Sequence, residues 1–206
     1  MKKILKTFTI AAVTLAASNA LAGGSWPQSN GSMWHVMIDF DGTNISVDAP
    51  TNPAPLEMQN YGETHTAPAD ALDGAMYNDQ YGWLANGIFT PPANTAIWIL
   101  ETSATAGLET FEGGMRPMRP NHTYAPIFTD NATPWMWGGT MTHNWYTATS
   151  LGAFEATYDV YIGDLSGAPL AQYGSDSVTL RWNAVPTPGS SAVFLVAGAA
   201  SCRRRR

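Results

Sequence analysis

Cysteine occurs once in the 206 residues, at Cys202, and lysine does not occur after Lys6. The body of the chain therefore has neither a disulfide nor a thiolate metal site, and its stability must come from a packed core. Between residues 23 and 185 the only cations besides histidine are Arg116, Arg119 and Arg181, against sixteen carboxylates, a formal charge of −13. Such a surface repels phosphate backbones, so nucleic acid is not expected among its partners. Charged residues make up only 13% of the chain, and strong helix formers are sparse. There is no heptad, internal repeat or second domain boundary, so a single domain with its own core is expected over residues 23–185.

What is abundant is the vocabulary of strands and turns, including 19 glycines and 14 prolines. Alternation of period two is clear in three places. Trp34, Val36, Ile38 and Phe40 share one face, as do Phe154, Ala156, Tyr158, Val160 and Ile162, and then Val178, Leu180 and Trp182. Each predicts a half-buried strand. Further strands are expected at Ile45–Asp48, 83–89, 96–101, 109–112, 123–128 and 135–146, the last broken at Gly138-Gly139. Only 68–76 invites a short helix. Eight to ten strands separated by turn-rich segments predict an all-β fold, a single antiparallel β-sandwich or jelly-roll-like domain.

The two ends read differently. Lys2, Lys3 and Lys6 precede a mostly apolar stretch from Thr7 to Ala17, and Ala20-Leu21-Ala22 follows. This is the layout of a secretory signal peptide over residues 1–22, with Ala20 and Ala22 as the small residues read by signal peptidase. At the other end stand Pro186, Thr187 and Pro188, then 14 apolar or small residues from Gly189 to Cys202, then Arg203, Arg204, Arg205 and Arg206. As a helix those 14 residues extend only ~21 Å against a hydrocarbon core of ~30 Å, so the expected contact with the inner membrane is transient. The arginine cluster holds the end on the cytoplasmic side.

This terminal pattern resembles the PEP-CTERM sorting signal of exported proteins of Gram-negative bacteria, with Thr187 where the family has a central Glu. The resemblance covers residues 186–206. It implies a hydrophobic sorting helix and processing at Pro186–Pro188 by a membrane-embedded, exosortase-like enzyme. It further implies passage to the cell surface or extracellular matrix, where polysaccharide is the neighbouring partner.

The segment Asp39-Phe40-Asp41-Gly42-Thr43 looks like the first motif of the haloacid dehalogenase-like phosphotransferases, which would make Asp39 a nucleophile and Asp41 an acid/base. That chemistry needs a cation to steady the phosphoryl group and a parallel sheet wrapped by helices. A lysine-free body without alternating helices offers neither. Asp-Gly between two alternating runs is instead a strong hairpin signal, with Ile45 and Val47 continuing the returning strand.

Other residues have side chains suited to chemistry. Glu155 and Asp159 share a strand face but stand about 13 Å apart at ~3.4 Å per residue, too far for a glycosidase pair. Trp135, Trp137 and Trp145 are candidates for a glycan-stacking platform, although aromatics in a small β domain more often fill a core. His35, His65, His122 and His143 lack the close spacing of a metal site, and no metal or other cofactor is expected. Asp70, Asp73, Asn78 and Asp79 form an oxygen-rich segment that a calcium ion would use only if they converged. Arg116 and Arg119 are expected to bond nearby carboxylates or loop carbonyls.

The expectation is thus an exported, non-enzymatic surface or matrix protein. The alternative is a secreted carbohydrate-active enzyme or a glycan- or calcium-binding module.

Overall fold

The computed structural model describes residues 24–50 and 55–186. Within them the chain is all-β, with twelve strands and two short 3-10 turns. The strands are β1 (Trp34–Phe40), β2 (Ile45–Asp48), β3 (Leu56–Met58), β4 (Met76–Asn78), β5 (Tyr81–Ala85), β6 (Thr95–Ala104), β7 (Leu108–Gly114), β8 (Pro126–Ile127), β9 (Trp135–Trp137), β10 (Thr142–Ala148), β11 (Gly152–Asp164) and β12 (Asp176–Ala184). Twelve exceeds the expected number because β3 and β4 are only three residues long, too short to show a period.

Seven strands form one sheet in the order β2-β1-β5-β10-β7-β8, with β4 alongside β10. The other five form a second sheet in the order β3-β12-β11-β6-β9. The expectation of antiparallel pairing throughout is corrected at two ladders, since β1 runs parallel to β5 and β3 to β12. Parallel neighbours need a long crossover rather than a tight turn. Residues 41–80 supply it for the first pair and residues 59–175 for the second.

The alternation sorts each strand between a core face and an outer face. Val36, Ile38 and Phe40 of β1 join Phe154, Ala156, Tyr158, Val160 and Ile162 of β11 and Val178, Leu180 and Trp182 of β12 in one cluster. Aromatic rings from the two sheets interlock there: Trp83 meets Tyr158 edge-on at 5.6 Å and Tyr146 lies 4.5 Å from Trp182. Such pairs contribute roughly 0.5–1.5 kcal/mol each beyond the area they bury.

A second, smaller cluster of Ala69, Leu72, Tyr77, Tyr124 and Trp145 is overlaid by Trp26 and Tyr61. Trp145 and Tyr146 are adjacent residues that fall in different clusters, so β10 is covered on both sides and all seven of its residues are buried. The helix expected over 68–76 is a single 3-10 turn, Ala69–Leu72, after which Gly74, at φ 76°, returns the chain into β4.

The break at Gly138-Gly139 carries more than a bend: it takes the chain from β9 in the five-stranded sheet to β10 in the seven-stranded one. The hairpin joining β1 and β2 is also placed one residue later than an Asp-Gly centre implies. Phe40 faces Ile45, and the Asp41 N–H donates to the Asn44 carbonyl at 3.2 Å. Gly42 and Thr43 are thus the central pair, and only Gly42 (φ 97°) has a positive φ. The Asp41 carboxylate closes the loop by accepting from the N–H groups of Thr43 and Asn44 at 2.8 and 2.7 Å. Those bonds hold its carboxyl below the usual range.

No helix among the described residues is long and apolar enough to cross a membrane. The expected signal peptide with Ala20 and Ala22, the residues Thr187 and Pro188, the apolar run and the Arg203–Arg206 cluster lie outside the described residues.

Candidate functional site

β6 continues its inward phase from Ile97 and Ile99 to Glu101. At that third position a carboxyl enters the space between the sheets, and Glu101 is only 5% exposed. Tyr158 of β11 is its partner in register. From the other sheet come Thr110 of β7 and Tyr146 of β10, themselves opposite one another. Trp83 of β5 packs on Tyr158, and Trp182 of β12 on Tyr146.

The hydroxyls of Thr110, Tyr146 and Tyr158 and the indole N–H groups of Trp83 and Trp182 are buried without a hydrogen bond of ordinary geometry among the described residues, the Tyr158 hydroxyl lying between Glu101 and Thr110. A buried polar atom left so costs about 1–3 kcal/mol. Tyr158 faces Glu101 directly, with Thr110 and Tyr146 beside it. Burial pushes the Glu101 carboxyl up to about 7, against a weaker opposing pull from the Tyr158 hydroxyl. Burial likewise raises the Tyr158 phenol well above its ordinary range.

A groove of about 420 Å³ opens at this edge of the seven-stranded sheet, lined by Leu108, Thr110, Phe111, Pro126, Phe128 and Thr129 among others. Its inner end reaches Thr110. Phe128 holds a φ of 55°, a left-handed conformation that a bulky side chain adopts only at a cost of about 1–3 kcal/mol. In that conformation its ring rests on Tyr158 at 5.2 Å and edge-on to Trp135 at 6.3 Å. Phe128 therefore stands between the groove and the polar cluster.

A different polar assembly occupies the other side of the seven-stranded sheet. Arg116 is buried and reaches across to Asp79 with two bonds, Nε to Oδ2 at 2.8 Å and Nη2 to Oδ1 at 2.7 Å. It also donates to the carbonyls of Gly31 (2.8 Å) and Asn30. The Asn30 N–H donates to Asp79 Oδ1 at 3.0 Å. The expected loop-carbonyl partners are found at Asn30 and Gly31, while the carboxylate comes not from a nearby position but from Asp79, at the break between β4 and β5. Arg119 donates to Ser29 Oγ. Both arginines thus staple the segment ahead of β1 onto the sheet.

Two histidines that are far apart in sequence meet in this layer. His35 lies opposite Gly82, and Gly82 opposite His143, on three neighbouring strands. With no side chain between them the imidazole rings approach to 5.6 Å. His143 Nδ1–H donates to the Asp79 carbonyl at 2.8 Å, while its Nε2 edge presses against Gly82. A methyl group there would lie 2.4 Å from Nε2, so that lone pair faces backbone and not a ligand-sized space. His122 is neutral and satisfied, donating from Nε2 to the Met115 carbonyl and accepting at Nδ1 from the Trp145 indole. Burial lowers the basicity of His122 and of His143. Among the described residues no three His, Cys, Asp or Glu side chains form a metal-holding group.

The remaining candidates disperse. The glycan platform is corrected, because Trp137 and Trp145 are buried in separate clusters. Trp135 is half-buried and bonds the Glu112 carboxylate at 2.9 Å. Gly138-Gly139 sends the tryptophans to different sheets, so their closeness in sequence does not become closeness on a surface. The calcium segment is corrected similarly: Asp73 accepts from the His65 N–H, Asn78 bonds the Glu57 carbonyl and Gln80, and Asp79 belongs to Arg116. Glu155 forms an exposed ion pair with Arg181 at 3.3 Å. Asp39 accepts from the neighbouring Phe40 N–H.

Glu101 carries a signal in the sequence. It holds the apolar phase of the run Ile97, Ile99, Glu101, and a carboxylate in that phase marks an inward-facing charge. The class these features define is an all-β domain of two mixed sheets with a polar site in its core. No protein-family model matches the chain, and no curated protein matches it.

Proposed function

We propose that this is an exported, non-enzymatic β-sandwich protein of jelly-roll-like form, delivered to the cell surface or extracellular matrix of a Gram-negative-type bacterium. The observation that carries the reading is the bracketing of the folded body by two address signals. Ser25, three residues after Ala22, already pairs with His65, and β12 closes at Ala184, two residues before Pro186. The layout supports a body that signal peptidase and an exosortase-like enzyme can free at both ends without cutting a strand. Arg203–Arg206 would retain the tail on the cytoplasmic side during a transient inner-membrane stage. A cysteine-free body with a large aromatic core suits a protein that must remain folded after export.

The test is cell fractionation of the full chain and of a chain ending at Val185, with mass spectrometry of the mature C-terminus. The full chain is expected at the surface, shortened near Pro186–Pro188; the truncated chain is expected to be misrouted. Surface material that still carries Arg206 overturns the reading.

A second reading, a secreted carbohydrate-active enzyme, is favoured by the burial of Glu101, which pushes its carboxyl up to about 7 behind the Phe128 wall of a groove, a shift that suits a general acid. Hydrolysis of an extracellular polysaccharide that Glu101→Gln abolishes would support it.

A further inference from the structure

Glu101 differs from the other buried carboxylate of the described body in having no cation. Asp79 is met by Arg116. The groups against Glu101 are neutral: Tyr158 from β11, Thr110 from β7, Tyr146 from β10 and Trp83 from β5; β9, on the other side of β6, brings Trp135 and Trp137, and the Glu112 carboxylate of β7 is bonded by Trp135 and Thr123. The titratable groups against Glu101 are phenols that burial keeps protonated. Arg181, on the outer face of β12, is engaged by Glu155, and Arg116 and Arg119 lie in the layer beyond the seven-stranded sheet. An isolated carboxylate in an apolar interior is much costlier than a carboxylic acid, so this position favours the acid on geometry alone.

We propose that Glu101 is a proton-held latch between the two sheets, closed while its carboxyl is neutral and released when it becomes a carboxylate. As an acid it joins the hydroxyl cluster, and β6 and β11 pack against β7 and β10. As an anion it demands solvation. The way out runs past Thr110 into the groove that Thr110 and Phe128 both line, with Phe128 resting on Tyr158. Phe128 is held in a strained conformation by its contacts with Tyr158 and Trp135, so loosening Tyr158 frees it to swing outward. The expected consequence is a local opening of the β6, β7 and β8 edge as pH rises from acid through neutrality, with the β1 and β2 edge unaffected.

The experiment compares the wild-type chain with Glu101→Gln, an uncharged side chain of the same shape, between pH 5 and pH 8.5. Amide hydrogen exchange, corrected for intrinsic pH dependence, is read by peptide, and Tm is followed in parallel. The wild type is expected to lose at least tenfold protection in 95–104, 108–114 and 126–128 across this range while Glu101→Gln does not. The Tm advantage of the variant is expected to grow from near zero at pH 5 to several degrees at pH 8. Any contribution of His122 and His143 is common to both proteins and cancels in the difference. Equal pH responses in the two proteins overturn the latch. If the variant does not fold, infrared spectroscopy of the wild type decides: a protonated carboxyl band present at pH 6 and lost by pH 8.5 supports it, and no such band overturns it. Neither readout depends on export or on polysaccharide.

Discussion

Gly82 and Asp79 show how single residues set this architecture. Gly82 is the space that lets the rings of His35 and His143 meet, and a Cβ there would lie within 2.4–2.8 Å of three ring atoms of a fully buried imidazole. Gly82→Ala is therefore expected to lower stability by about 2–3 kcal/mol through overpacking, measured by urea unfolding. Asp79 matters for the opposite reason, because it fills a demand that Arg116 creates. Removing it in Asp79→Ala leaves a buried guanidinium with carbonyls but no counter-charge, at an expected cost of about 3–5 kcal/mol. The double variant Asp79→Ala/Arg116→Met should recover part of that loss. Neither partner was legible beforehand, since Asp79 and Arg116 are 37 positions apart and ion-pair partners across a fold leave no periodic trace. Glu101 was closer to legible, as its phase on β6 could be counted.

Strands reveal themselves in sequence when their two faces differ. β1, β11 and β12 have one face in the core and one outside, and their alternation predicted which residues are buried. β10 resisted the same reading because the 69–72 and 116–121 turns and the segment before β1 cover its outer side, so every residue is buried and no period survives. The hairpin between β1 and β2 was visible as a turn but not in its register, which depends on the Asp41 carboxylate capturing two N–H groups. Gly42 then bears the positive φ alone. Gly42→Ala should cost about 1–2 kcal/mol, whereas Thr43→Ala should be nearly neutral; thermal melts of the two variants check the assignment.

The pH response of the whole molecule combines opposing groups. For His122 and His143 the folded state disfavours protonation relative to an unfolded imidazole near 6.5. The unfolded chain then binds more protons below that pH, and stability falls as pH falls. Glu101 has the reverse sign: its carboxyl is raised from 4.5 to about 7, so the folded state binds the extra proton. Its contribution, at most about 3 kcal/mol at ~1.4 kcal/mol per pH unit, is lost as pH rises from 4.5 to 7. The histidine and carboxyl contributions therefore oppose one another as pH rises toward 7. Urea midpoints from pH 4.5 to 8.5 test this: Glu101→Gln should gain stability relative to the wild type as pH rises from 4.5 to 7 and hold a constant advantage above it.

Composition, turn residues and the period-two pattern by themselves determined an all-β chain, its main strands and the inward residues of three of them. These follow from local sterics and from the preference of apolar side chains for one face, both encoded within a few neighbouring positions. The tertiary structure alone decided the two parallel ladders, the switch of sheets at Gly138-Gly139, the Arg116–Asp79 staple and the isolation of Glu101 among neutral groups. Those depend on which distant segments come to lie side by side, and side-chain electrostatics over a few ångströms acts only after that placement is made.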